Sequence, residues 1–64
     1  MVGKRIAIFR KKNEWTQNEL ARAARLSRSY IAAIEEGKEP GVKAIVQIAE
    51  ALGVKVEDLL KGSD

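Results

Sequence analysis

The sequence holds no cysteine and no histidine, and one residue each of tryptophan, tyrosine, phenylalanine, proline and methionine among its 64. Without thiols or imidazoles there is no disulfide framework, no zinc site of the usual ligand types, no cysteine nucleophile and no imidazole acid or base. A chain free of cysteine suits a reducing cytoplasm. Long apolar runs are missing too. The longest, Ile6-Ala7-Ile8-Phe9 and Ile31-Ala32-Ala33-Ile34, are four residues each, whereas a spanning helix needs about 18. Lys4 and Arg5 do not introduce a signal-peptide core either, because Arg10 interrupts the apolar stretch well short of the roughly 7 to 15 residues such a core requires. Membrane insertion and secretion have no support. So short a chain buries only about 60% of the surface its unfolded form exposes, which leaves one compact core and no room for a deep substrate cleft. Residues 1–64 are therefore read as a single domain.

Charge is plentiful and uneven. Residues 1–28 carry Lys4, Arg5, Arg10, Lys11, Lys12, Arg22, Arg25 and Arg28 against Glu14 and Glu19, a net charge of +6. Residues 29–64 carry four lysines against seven acids, so the overall +3 conceals a basic half joined to an acidic one. Such a division suggests one face for a polyanion and another for solvent or protein contacts.

Apolar spacing is helical nearly throughout and predicts five short helices in an all-α fold. Val2, Ile6 and Phe9 fall at i, i+4 and i+7, predicting a first helix over about residues 2–12 with Ile8 off its inner stripe. Thr16-Gln17-Asn18-Glu19 is a capping box, in which the Thr16 hydroxyl accepts from the Glu19 amide and the Glu19 carboxylate returns to the Thr16 amide. A second helix over about 17–24 follows, with Leu20, Ala21 and Ala24 inward; Trp15, just before the cap, fits a hydrophobic staple. Ser27 is the next N-cap, and Ile31 with Ile34 gives a buried pair before Gly37 stops a third helix of about 28–36. After Pro40 and Gly41, the residues Val42, Ile45, Val46, Ile48, Ala49 and Leu52 predict a wide apolar arc on a fourth helix that Gly53 ends. Val56, Leu59 and Leu60 suit a last short helix, with residues 61–64 fraying.

Two short capped helices joined by about three residues form a helix-turn-helix pattern. The turn makes the pair cross steeply, so that the second helix can project into a major groove about 12 Å wide with its first residues toward the base edges. The start of the first of the pair, with free amides and partial positive charge, can rest on a backbone phosphate.

The runs Phe9-Arg10-Lys11-Lys12, Trp15-Thr16-Gln17-Asn18-Glu19-Leu20-Ala21, Leu26-Ser27-Arg28-Ser29-Tyr30-Ile31 and Ile34-Glu35-Glu36-Gly37-Lys38 resemble the Cro and CI repressor-like (XRE-type) helix-turn-helix family. Ile48-Ala49-Glu50-Ala51-Leu52-Gly53-Val54 and Asp58-Leu59-Leu60 extend the likeness over nearly the whole chain. The resemblance implies a compact five-helix lambda-repressor-like domain that binds double-stranded DNA, usually as a homodimer on a palindromic operator, and acts in transcription as a small repressor. It implies base readout by Arg28 and Ser29, with Ala32 and Ala33 offering apolar contact to a thymine methyl. It implies phosphate contacts from Gln17, Ser27 and Lys38, with Arg25 adding a cation nearby, and an internal ion pair of Arg10 with Glu35. Tyr30 either reaches phosphate or packs beside Ile34. The surface around Val54, Val56 and Leu59 is the expected dimer interface. No cofactor, metal, membrane or small-molecule substrate is expected.

Several positions depart from the family pattern. Relatives often have glycine where Glu14 and Arg25 stand, at left-handed helix ends where a side chain costs about 1 kcal/mol. Asn13 is positioned to take over the first of these duties. Gly41 and Lys55 stand where polar caps are usual. The competing reading is a protein-interaction or antitoxin-like helical module with weak or non-specific DNA binding, favoured by the small Ala32 and Ala33. An enzyme is remote: Glu35-Glu36 and Glu57-Asp58 are adjacent acids that diverge on helices, and Gly37 to Gly41 lacks the Lys-Ser/Thr ending of a phosphate loop.

Overall fold

The computed structural model describes residues 2–61, and the described elements are α1 (Val2–Lys12), α2 (Gln17–Ala24), α3 (Arg28–Glu35), α4 (Val42–Leu52) and α5 (Val56–Leu60). The expected fraying of residues 62–64 lies outside the described residues. No described helix is long and apolar enough to cross a membrane.

The starts follow the capping chemistry. Thr16 Oγ1 accepts from Glu19 N at 3.1 Å and Glu19 Oε1 accepts from Thr16 N at 2.8 Å, completing the box. Ser27 Oγ accepts from Tyr30 N at 3.0 Å. Gly41 caps α4 with no side-chain bond. Lys55 cannot accept with its ammonium, but Asp58 Oδ2 accepts from the Lys55 amide at 3.0 Å, preserving half of a box.

The ends of α1 to α4 share one device. In α1, Trp15 N donates to Arg10 O and Glu14 N to Lys11 O; in α2, Leu26 N donates to Ala21 O and Arg25 N to Arg22 O. In α3 the same pair runs from Lys38 N to Ala33 O and Gly37 N to Ile34 O, and in α4 from Val54 N to Ala49 O and Gly53 N to Glu50 O. This Schellman arrangement satisfies terminal carbonyls, and its turning residue needs positive φ. Gly37 and Gly53 supply it at φ 126° and 73°, whereas Glu14 and Arg25 adopt φ 59° and 60° themselves. Asn13 therefore does not relieve Glu14: the paired bonds place the turn one residue later. Trp15, Leu26 and Val54, each the residue after the turn, pack against the core and anchor three of these ends.

Ile6, Leu20, Ile31, Ile34, Ile48 and Leu59 are fully buried, and Ala21, Ala24, Ala44, Ile45, Ala49 and Leu52 complete the core. Each large side chain so placed contributes roughly 1.5 to 3 kcal/mol relative to exposure. The arc expected on α4 needs correction. Val42 and Val46 are 81% and 38% exposed, while Ala44 is buried. Gln47 lies beyond Ala44 at the opposite edge of the arc, where its Nε2 donates to Ala24 O at 2.6 Å and ties α4 to α2. At 100° per residue, Val42 and Val46 then fall about 20° and 60° past Ala49, the edge of the buried arc. Ile8 is exposed as expected, and Leu60 is exposed as well.

Gly3, buried in the first turn of α1, marks the closest approach of two helices. A Cβ there would overlap the Ile34 carbonyl oxygen of α3 and lie 3.0 Å from its carbon. At the other end of the chain, Arg5 Nε donates to Asp58 O at 2.7 Å and ties α5 to α1.

Candidate nucleic-acid interface

The position of α3 follows from what its inner face meets. Ile31 and Ile34 are fully buried and Tyr30 and Glu35 are partly covered, so the opposite side must carry Arg28, Ser29, Ala32, Ala33 and Glu36. Arg28 and Ser29 are exposed at the helix start; Ala32 and Ala33 are half-buried behind them. Among the described residues no hydrogen bond or ion pair engages the side chains of Arg25, Arg28 or Ser29. These predicted residues share one outward surface, and the guanidinium at its head is available to a ligand.

A nearly buried network holds this surface in place. Arg10 Nε donates to Glu35 Oε2 at 2.7 Å and its Nη2 to Glu35 Oε1 at 3.1 Å, with side chains only 11% and 8% exposed. Its Nη1 donates to Trp15 O at 2.7 Å, while the Arg10 carbonyl accepts from Trp15 N. One arginine thus joins the end of α1, the entry to α2 and the end of α3, in the planar bidentate geometry that suits guanidinium and carboxylate. Burial alone pushes the Glu35 carboxyl up. Hydrogen bonds from Arg10 and Gln17, with the charges of Arg10 and Lys11, outweigh it and hold the group below its ordinary value.

The expected flanking groups divide. Gln17 Nε2 donates to Glu35 Oε1 at 3.0 Å, so the side chain is oriented from within, and the amide keeps its second N–H for another acceptor. Ser27 spends its hydroxyl as an acceptor in the α3 cap. Lys38 lies after α3 with its Nζ 5.8 Å from the centre of the Tyr30 ring. Tyr30 packs against the core, as one of its two readings required, and its hydroxyl also accepts from Gly41 N at 3.2 Å. Arg25 stands exposed in the left-handed turn.

One expected surface is corrected. Leu59 is fully buried and belongs to the core, because α5 lays it against α1 and α4; Val54 and Val56 are only half-buried and remain at the surface. Gly3 and Gln47 were not anticipated as positioning residues. The signals for them are a lone glycine inside a helical pattern and a single amide beside an apolar arc.

Residues 6–59 match the family described as helix-turn-helix. Over 92% of its length the chain is 42% identical to the immunity repressor protein of Bacillus phage phi105, of which it spans 42%. It is 32% identical to the transcriptional regulator SinR of Bacillus licheniformis, spanning 60% of it. It is 39% identical to an uncharacterised helix-turn-helix transcriptional regulator of Methanocaldococcus jannaschii, spanning 85% of that protein. Among solved structures, the chain superposes with a TM-score of 0.90 at 32% identity on the biofilm master regulator SinR in complex with DNA, covering 95% of this chain and all of that one. With a family match that takes in most of the sequence, on a fold whose second and third helices meet through a three-residue turn, this chain belongs to the helix-turn-helix family.

Proposed function

We propose that this chain is the DNA-binding unit of a cytoplasmic transcriptional regulator, acting as a repressor, with α3 seated in the major groove. The observation that carries this reading is the outward surface headed by Arg28, exposed and unengaged on a helix whose back is fixed by the core. Arg28 bonds O6 and N7 of a guanine, Ser29 meets the neighbouring edge, and Ala32 and Ala33 touch thymine methyls. Gln17, through its second amide hydrogen, and Ser27, Arg25 and Lys38 meet backbone phosphates. Two small alanines leave few polar readers, so discrimination rests largely on Arg28.

Two copies on a palindromic operator, one to each half-site, complete the proposal, and the dimensions are compatible with it. The longest extent of the chain is 28 Å, less than the roughly 34 Å between the centres of successive half-sites. The half-buried Val54 and Val56 are the proposed contact between copies.

Selection of bound duplexes from a random pool tests this reading. The expected result is a two-fold symmetric motif containing guanine, bound with log K falling against log salt at a slope of roughly −3 to −5 per subunit. Equal weak binding to every duplex, unchanged by Arg28→Ala, overturns it in favour of a protein-interaction module.

A further inference from the structure

Two adjacent acids close α3 and end in different surroundings. Glu35 is held on the inner side by Arg10 and Gln17. Glu36 continues the helical path at φ −93° and ψ 0° and is exposed, and among the described residues no hydrogen bond or ion pair engages its carboxylate. At 100° per residue it stands about 20° from Ser29 around the helix and about 10.5 Å further along it. Glu36 therefore shares the outward line of Ser29, Ala32 and Ala33, two turns behind the head of the helix. A helix that enters a groove about 12 Å wide by its first residues carries its far end out to the phosphate rim. A carboxylate there meets acceptors only, because the DNA backbone offers no hydrogen-bond donor. Lys38 supplies one cation to this end, and the exposed Glu36 and Glu39 outnumber it.

We propose that Glu36 is an electrostatic brake: its carboxylate, on the DNA-facing line of α3, opposes backbone phosphate and lowers the affinity of each copy for any duplex. The inference rests on the DNA-binding reading above. Like charges roughly 6 Å apart in a water-like dielectric repel enough to cost about threefold in affinity, which two copies on one operator multiply to about tenfold. Because phosphate carries no sequence information, the penalty falls on every duplex alike. It lowers retention on unrelated DNA, and occupancy then depends on the Arg28 contact with guanine and on both copies being seated together.

The test measures fluorescence anisotropy of a selected duplex and of a mixed-sequence duplex of equal length over a salt series. The variants are Glu36→Ala, Glu36→Gln and, as a remote control, Glu57→Gln on α5, which packs against α1 and α4. Glu36→Ala removes the charge and adds no donor. It should tighten binding to both duplexes by about threefold per copy at low salt, with their ratio kept and the gain shrinking as the Debye length falls below about 10 Å. Glu36→Gln should match it, and Glu57→Gln should gain less than about half as much. Urea midpoints of the variants separate these gains from changes in folding. Unchanged affinity in Glu36→Ala, a gain confined to Glu36→Gln, or an equal gain in Glu57→Gln overturns the proposal while leaving the DNA-binding reading intact. So does a loss confined to the selected duplex, the sign of a carboxylate accepting from a cytosine amine. Failure of the unaltered chain to bind either duplex removes both.

Discussion

Arg25 and Glu14 occupy the same backbone state, at φ 60° and 59°, in the same hydrogen-bonded helix end. Glycine at either position removes the clash of Cβ with the following carbonyl, worth roughly 1 to 2 kcal/mol. It also gives the unfolded chain more freedom, returning about 0.5 to 1 kcal/mol. The net expectation for Arg25→Gly and for Glu14→Gly is a gain of about 0.5 to 1 kcal/mol, or roughly 2 to 8 °C in Tm for a domain of this size. Binding should separate the two. Arg25 lies in the turn ahead of α3, so its loss should weaken DNA binding and lower the magnitude of the salt slope by about 1. Glu14 is an exposed acid in the turn after Lys11 and Lys12, so its loss should leave affinity equal or raised. Thermal unfolding by circular dichroism and duplex titration over a salt series measure both quantities. A fall in Tm for both variants would refute the strain argument; an unchanged salt slope for Arg25→Gly would refute the phosphate role of Arg25.

Gly3→Ala should destabilise by about 1 to 2 kcal/mol, because overpacking against the Ile34 carbonyl exceeds the helix-propensity gain of alanine; a rise in the urea midpoint would show that α1 can move off α3 freely. Arg10→Ala leaves the Glu35 carboxylate, 8% exposed, with Gln17 as its remaining hydrogen-bond donor, and should cost about 3 kcal/mol or more by equilibrium unfolding; a loss under about 1 kcal/mol would place the pair effectively in solvent. Because the Glu35 carboxyl is held below its ordinary value in the folded chain, its contribution is fully present above the unfolded value of about 4.3 and is lost as pH falls through the lower folded value. Urea midpoints between pH 7 and pH 3 should therefore drop less steeply for Glu35→Gln than for the parent, and parallel curves would contradict that assignment.

The helix starts were legible because capping chemistry is local: Thr16, Glu19 and Ser27 satisfy amides within one turn of themselves. The Arg10–Glu35 pair, 25 residues apart, was legible only through family resemblance, since no local rule joins the two. The middle of the inner side of α4 was legible, with Ile45, Ile48, Ala49 and Leu52 buried as expected, but its edges were not. Val42 and Val46 are as apolar as the residues beside them yet exposed, while Ala44 is buried and Gln47 reaches across to Ala24 O of α2, contacts that no local pattern marks. Leu59 fell within the expected interface because a short apolar helix has no internal mark separating its buried side from its exposed one. The Tyr30, Lys38 and Gly41 grouping depends on how the chain returns after α3, and a lone aromatic residue does not announce its partners.

The central claim concerns which surface meets DNA, and amide chemical shifts of the labelled chain titrated with a selected duplex test it most directly. The account predicts that the largest changes fall on Arg28, Ser29, Ala32 and Ala33, flanked by Gln17 and Lys38. Changes centred instead on the exposed Ile8, or on Val42 and Val46, with α3 unmoved, would contradict it.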